Sequence, residues 1–260
     1  MIDTVVLHYS ESGQGTPVIL LHGFPFCGGI WHKQQERLSD LYRIIAPDLR
    51  GHGQSPAPAG VYDMQTLARD VLALLDSLQI EKAVLLGHSM GGYVALAAWK
   101  LAPARFLALG LIDSQAAPDT EEARSGRVKM AEKVAKEGSQ AVATAMLPRL
   151  FAPALSTGDP IVEQVRQMIL KTPGAAIISS LNGMAARPDS SAMLRTINVP
   201  MLILTGDKDQ IIATATAEAM AARLPKATLA VIENAGHMPM LERPEATTTA
   251  IRKFLSDVGE

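Results

Sequence analysis

Short runs of aliphatic and β-branched residues alternate with longer segments of helical period along the first third of the chain. Residues 4–9 read as a strand, Gly13 and Gly15 as a turn, and residues 17–21 and 43–46 as two further strands. Leu67, Val71, Leu74, Leu75 and Leu78 recur at three- and four-residue spacing, which predicts an amphipathic helix over 64–77. A short buried strand follows at 82–86, then a helix over 90–101 stopped by Pro103, then a strand over 106–112. The alternation returns late in the chain, with strands at 200–204 and 227–232 and helices at 213–224 and 244–255. Strands alternating with helices in this way predict a mostly parallel sheet covered by helices on both faces.

The stretch 115–189 breaks the alternation. It predicts helices over 121–137, 142–150, 161–171 and 175–186, separated by Pro148, Pro153, Pro160 and Pro173, and no strand. The expected organisation is therefore an α/β core made of residues 1–114 and 190–260, with residues 115–189 inserted as a helical cap.

Composition narrows the function classes. With 260 residues, 48% of them hydrophobic, the chain can bury a sizeable core. Its 24 basic and 26 acidic residues form no basic stripe, which argues against a nucleic-acid partner. Cys27 is the single cysteine, so no intramolecular disulfide can form. Residues 1–13 lack a basic stretch followed by an apolar one, and the apolar runs are strand-sized, so neither a signal peptide nor a membrane partner is expected. These features together suggest a cytoplasmic protein. The histidines His8, His22, His32, His52 and His88 show no ligand spacing, and no metal is expected.

The chemistry-bearing residues lie where strands end. Gly87-His88-Ser89-Met90-Gly91 matches G-x-S-x-G, directly after one predicted strand and at the start of a helix. Such a serine sits in a sharp, strained turn that lifts its hydroxyl above the sheet. Strand and helix cross there too tightly for side chains two positions before and after, which Gly87 and Gly91 satisfy. A serine hydroxyl is a weak nucleophile and needs a base. His237 is the best placed, in the loop between the last strand and the last helix. The imidazole needs a carboxylate to orient it. Asp209, in Thr205-Gly206-Asp207-Lys208-Asp209, is preferred, with Asp207 and Asp113 as competitors at strand ends. The order Ser89, Asp209, His237 is a Ser…Asp…His order. Oxyanion donors are expected from the backbone N–H of Met90 and of Phe24, in His22-Gly23-Phe24-Pro25, each worth about a hundredfold or more in rate.

Together these stretches resemble the α/β-hydrolase superfamily, over almost the whole chain and least in 115–189. Residues 47–55, Pro-Asp-Leu-Arg-Gly-His-Gly-Gln-Ser, are similar to the loop these enzymes carry after their fourth strand, and Asp48, Arg50 and His52 are read as scaffold. Within the superfamily the chain most resembles small carboxylesterases and 3-oxoadipate enol-lactonases. The resemblance implies an eight-stranded, mostly parallel sheet, no cofactor, and Ser89 as nucleophile with His237 as acid/base, Asp209 as acid, and Phe24 and Met90 as oxyanion donors.

The expected activity is acyl transfer to water from a small-molecule ester, small to medium and uncharged. Lactonase, perhydrolase and C–C hydrolase chemistry remain open on the same residues, and a non-catalytic binding protein is a distant alternative. Met146, Phe151, Met184, Ile211 and Met238 are the candidate apolar lining of the substrate pocket. Oligomeric state is not legible.

Overall fold

The computed structural model describes residues 4–155 and 157–258. Seven strands form one sheet: β1 (Tyr9–Ser12), β2 (Thr16–Leu21), β3 (Tyr42–Pro47), β4 (Ala83–His88), β5 (Phe106–Ile112), β6 (Met201–Gly206) and β7 (Ala227–Ile232). Their order across the sheet is β1-β3-β2-β4-β5-β6-β7. β1 runs antiparallel to β3, and every other pairing is parallel. Every residue of β4 and β6 is buried, as expected of strands covered on both faces. The edge strand β7 instead leaves Leu229 and Val231 exposed.

Two strand expectations need correction. The described residues hold seven strands where the family resemblance implied eight. Residues 4–8 are not a strand, and β1 begins only at Tyr9. Side chains take the N–H groups there: Val5 donates to Asp70 Oδ1 at 3.0 Å and His8 to Ser55 Oγ at 2.9 Å.

The helices are α1 (His32–Leu38), α2 (Met64–Ser77), α3 (Met90–Leu101), α4 (Glu121–Glu137), α5 (Gln140–Leu150), α6 (Pro160–Lys171), α7 (Gly174–Ala185), α8 (Thr214–Ala221), α9 (Pro239–Glu242) and α10 (Pro244–Val258). α2 starts where the Asp63 carboxylate accepts the Thr66 N–H at 2.7 Å, and Thr120 and Asp159 cap α4 and α6 in the same way. α4 to α7 all lie between β5 and β6, and α4 packs against α7. Pro160 opens α6, but Pro148 sits inside α5 and does not separate two helices. The sequence pattern did not announce α1. It is seven residues long, has no side-chain cap, and buries only Gln34 and Leu38.

The loop after β3 is a polar knot under the sheet edge. Asp48 accepts the N–H groups of Gly28 (2.8 Å) and Gln54 (2.9 Å) and pairs with His8 at 3.0 Å. Arg50 grips buried Asp70 through two nitrogens at 2.7 and 2.8 Å. His22 accepts the Leu49 N–H on Nε2, so its Nδ1 donates to the Gly23 carbonyl. Burial holds His22 below the ordinary histidine value, and burial beside His22 takes His52 down to about 3.

A histidine kept neutral by the fold binds a proton only once the chain unfolds. Acid therefore favours the unfolded chain by up to about 1.4 kcal/mol per pH unit for each such residue, starting near the free value of about 6.5. For His52 that loss runs down to about 3. The urea midpoint should fall between pH 7 and pH 5. In a His52→Asn variant the fall should be shallower, which paired denaturation curves would measure.

Candidate active site

The tight crossing of β4 and α3 is visible atom by atom. Ser89 sits between them at φ 50°, ψ −115°, outside the ordinary regions for a side chain with a Cβ. Such a conformation costs about 1–3 kcal/mol and must be held from outside. Three hydrogen bonds hold it: Ser89 N–H to the Ile112 carbonyl (2.8 Å), Gly92 N–H to the Ser89 carbonyl (2.9 Å), and Ser114 Oγ to the same carbonyl (2.8 Å). A methyl group added at Gly87 would lie 2.2 Å from the Gly91 carbonyl oxygen, and one at Gly91 would lie 2.7 Å from that of Leu21. Both glycines are required by backbone contact.

The loop after β2 lies over the same serine. A Cβ at Gly23 would come within 3.0 Å of Ser89 Cβ, so Phe24 follows a backbone pressed against the elbow. Met90 is the first residue of α3, where helical N–H groups have no partner within the helix.

His237 and Asp209 meet. Nδ1 of His237 lies 2.7 Å from Asp209 Oδ2, with both side chains buried. Asp209 Oδ1 accepts the N–H groups of Ile211 (2.7 Å) and Ile212 (3.1 Å). Burial alone would push this carboxyl up, but the facing imidazole and these donors hold it below the usual carboxylate range. Asp207 turns away and pairs with Lys208 at 2.9 Å. Asp113 lies beside the pair: it, Asp209 and His237 each bring an oxygen or nitrogen within 4.8 Å of the others.

The residues that hold the imidazole loop escaped the sequence reading. Glu242 accepts three backbone N–H groups, those of Gly236 (2.9 Å) and Met238 (3.2 Å), which flank His237, and that of Ala152 (2.7 Å). The His237 N–H donates to the Leu150 carbonyl at 2.9 Å, which ties the same loop to the end of α5. His88 lies within hydrogen-bond distance of the His237 carbonyl through Nε2 (2.7 Å), and the two rings stand 4.9 Å apart. Burial, and His237 next to it, keep His88 well below the ordinary histidine value. A signal for Glu242 existed: an acid within the first turn after Pro239 can reach back to open N–H groups, as in a capping box.

Ser89, His237 and Phe24 line one cavity of about 350 Å³. α4, α5 and α7 roof it with Arg127, Met146, Arg149 and Met184, and Ile211 closes one side. Two expected lining residues are not among the lining side chains. Met238 is fully buried, and Phe151 packs its backbone against Gly236 while its carbonyl takes a hydrogen bond from Gln210 at 3.0 Å. Alternating directions along a loop send neighbours of a site residue into the core. A larger cavity of about 750 Å³ lies between α2, α3 and the end of α7; it includes neither Ser89 nor His237, and Tyr93 and Gln115 border both cavities. No helix among the described residues is long and apolar enough to cross a membrane.

Comparison with known proteins agrees with this architecture. A family model described as "alpha/beta hydrolase fold" matches residues 16–244. A solved thermophilic esterase from Thermogutta terrifontis (malate bound) superposes with a TM-score of 0.95 at 41% identity, covering 98% of this chain and 94% of that one. The chain is 30% identical over 254 residues to 3-oxoadipate enol-lactonase 2 of Acinetobacter baylyi, covering 96% of this chain and 93% of that protein. It is 34% identical over 245 residues to the dihydrolipoyllysine-residue acetyltransferase component of the acetoin cleaving system of Pseudomonas putida, covering 93% of this chain but only 64% of that protein's length. The chain belongs to the α/β-hydrolase fold family.

Removing the Glu242 carboxylate leaves three N–H groups unserved around the His237 loop. Glu242→Ala should lower stability by about 2–4 kcal/mol, judged from the cost of orphaned buried donors. Glu242→Gln, which keeps an acceptor, should lose less. Chemical denaturation of the two variants would measure the difference.

Proposed function

We propose that this α/β-hydrolase family member is a serine hydrolase of carboxylic esters that works through an acyl-enzyme. The observation that carries the reading is the buried 2.7 Å contact of His237 with Asp209, in a cavity lined by both His237 and the strained Ser89. Ser89 Oγ attacks the substrate carbonyl as His237 takes its proton through Nε2, and Asp209 holds the imidazole by its Nδ1–H. The N–H groups of Phe24 and Met90 receive the oxyanion. The alcohol leaves with the proton from His237. Water then gives its proton to the same nitrogen and releases the acid.

Residues 115–189 act as a cap over the sheet domain in this reading, because α4, α5 and α7 supply the cavity roof. A cavity of about 350 Å³ favours short acyl groups, acetyl to hexanoyl, over decanoyl. A lactone opens through the same acyl-enzyme. The likeness to an enol-lactonase keeps this as a second reading.

A fluorophosphonate probe should label the wild type at Ser89 and leave Ser89→Ala unlabelled. The variant should lose hydrolysis of p-nitrophenyl butyrate by at least about a thousandfold. Hydrolysis by Ser89→Ala at the wild-type rate would end the proposal.

Acid should switch the enzyme off by one proton. His22, His52 and His88 are held below the ordinary histidine value, so they stay neutral while the base protonates. The acid limb of kcat/KM should have unit slope. A slope of two in a pH–rate profile would assign a second proton to the site.

A further inference from the structure

Asp113 has no role in the acyl-transfer steps, yet it is built into the site. It terminates β5 with φ 44°, a left-handed backbone that few residues other than glycine adopt readily. Its N–H is fixed to the Leu204 carbonyl at 2.9 Å. Oδ1 accepts the Thr205 hydroxyl (3.1 Å) and the Gly206 N–H (2.9 Å), both at the end of β6, three to four residues before Asp209. Oδ2 is fully buried and meets no N–H or O–H donor among the described residues. What lies beside it is Asp209: one oxygen of each carboxyl group and a ring nitrogen of His237 all lie within 4.8 Å of one another.

Two buried carboxyl groups this close, one with an unpartnered oxygen, are best accommodated when one carries a proton and donates it to the other. Asp209 is the one that faces the imidazole and two N–H donors, so it is the anion. The proton therefore belongs on Asp113. We propose that Asp113 is a positioning residue: its neutral carboxyl donates from Oδ2 to Asp209, so that two acids beneath His237 hold a single negative charge and Asp209 is fastened in the orientation that meets Nδ1.

The surroundings fit this state. The titratable groups around the pair are His237 and, behind it, His88, which is neutral; Asp207 is turned to Lys208. Burial, and then the Asp209 charge, raise Asp113 well above the ordinary carboxyl value. An ionised Asp113 would place a second anion near the imidazole and hold the base in its protonated, inactive form to higher pH. The neutral acid avoids that while lending Asp209 a fourth donor.

The proposal rests on the acyl-transfer reading of Ser89, His237 and Asp209, and its test is chosen to be readable without turnover. The probes are Asp113→Asn, whose amide keeps an acceptor for Gly206 and offers Asp209 a donor, and Asp113→Leu, which offers neither. The His237 imidazole is titrated by proton NMR in all three proteins, and the acid limb of kcat/KM is followed beside it. The wild type at pH 7 should show the infrared carbonyl stretch of a buried protonated acid, absent from Asp113→Asn.

In Asp113→Asn the imidazole midpoint should stay within roughly 0.3 pH units of the wild type, because one neutral donor replaces another. In Asp113→Leu it should rise by roughly half a unit or more, because Asp209 loses a donor and draws the imidazolium more strongly. kcat/KM should also fall there roughly tenfold, and Asp113→Asn should recover most of it. A midpoint that drops by about a unit or more in Asp113→Asn would show that the wild-type group was ionised and would overturn the proposal. So would absence of the infrared band. A failed Ser89→Ala test with the band and midpoints as expected would sink the acyl-transfer reading and leave the shared proton standing.

Discussion

A buried carboxylate facing a buried imidazole is the contact that the surrounding architecture serves. Taking Asp209 out of water is costly unless its oxygens are met by donors. They are met by His237 Nδ1 and by the Ile211 and Ile212 N–H groups. The imidazole has little freedom left. The His237 backbone N–H is tied to Leu150, its backbone carbonyl to His88, and the backbone N–H groups on either side to Glu242. Because Leu150 and Ala152 share these bonds, the end of α5 is part of the device that fixes the ring.

The parallel sheet brings these groups together. Ser89, Asp113, Asp209 and His237 follow the carboxyl ends of β4, β5, β6 and β7, which are four neighbours in the sheet. Open α/β sheets place their ligand sites at that edge. Two of these positions come at a local cost, since Ser89 and Asp113 both hold positive φ. The cost is sustainable because the strands beneath are almost entirely buried and paired on both sides. A flexible loop could not hold a serine at φ 50° against relaxation.

Much of this was legible because strong local rules apply. Helices α2, α3 and α4 lie where their sequence patterns, and Pro103 for α3, placed them. The glycines around Ser89 announce a crossing that geometry makes unavoidable. The order of Ser89, Asp209 and His237 puts three distant segments at one sheet edge. What stayed hidden depends on tertiary contact. α1 carries too weak a pattern to stand out. Residues 4–8 look like a strand but give their N–H groups to side chains far along the chain. Phe151 and Met238 are apolar and near the site in sequence, yet point into packing, while Tyr93 and Arg127 reach the cavity from helices whose facing no local rule predicts.

Three carboxyl groups lie at or near this edge, and they differ in their donors. Asp209 faces an imidazole and two N–H groups, and it lies below the ordinary carboxylate range. Glu242 has three N–H groups, and burial raises it. Asp113 has donors on one oxygen only and an anion beside the other, and it is raised furthest from the usual behaviour of an acid. Ionisation thus follows solvation by the protein itself, group by group. Between Asp113 and Asp209, the hydrogen-bond donors favour the charge on the one that touches the ring.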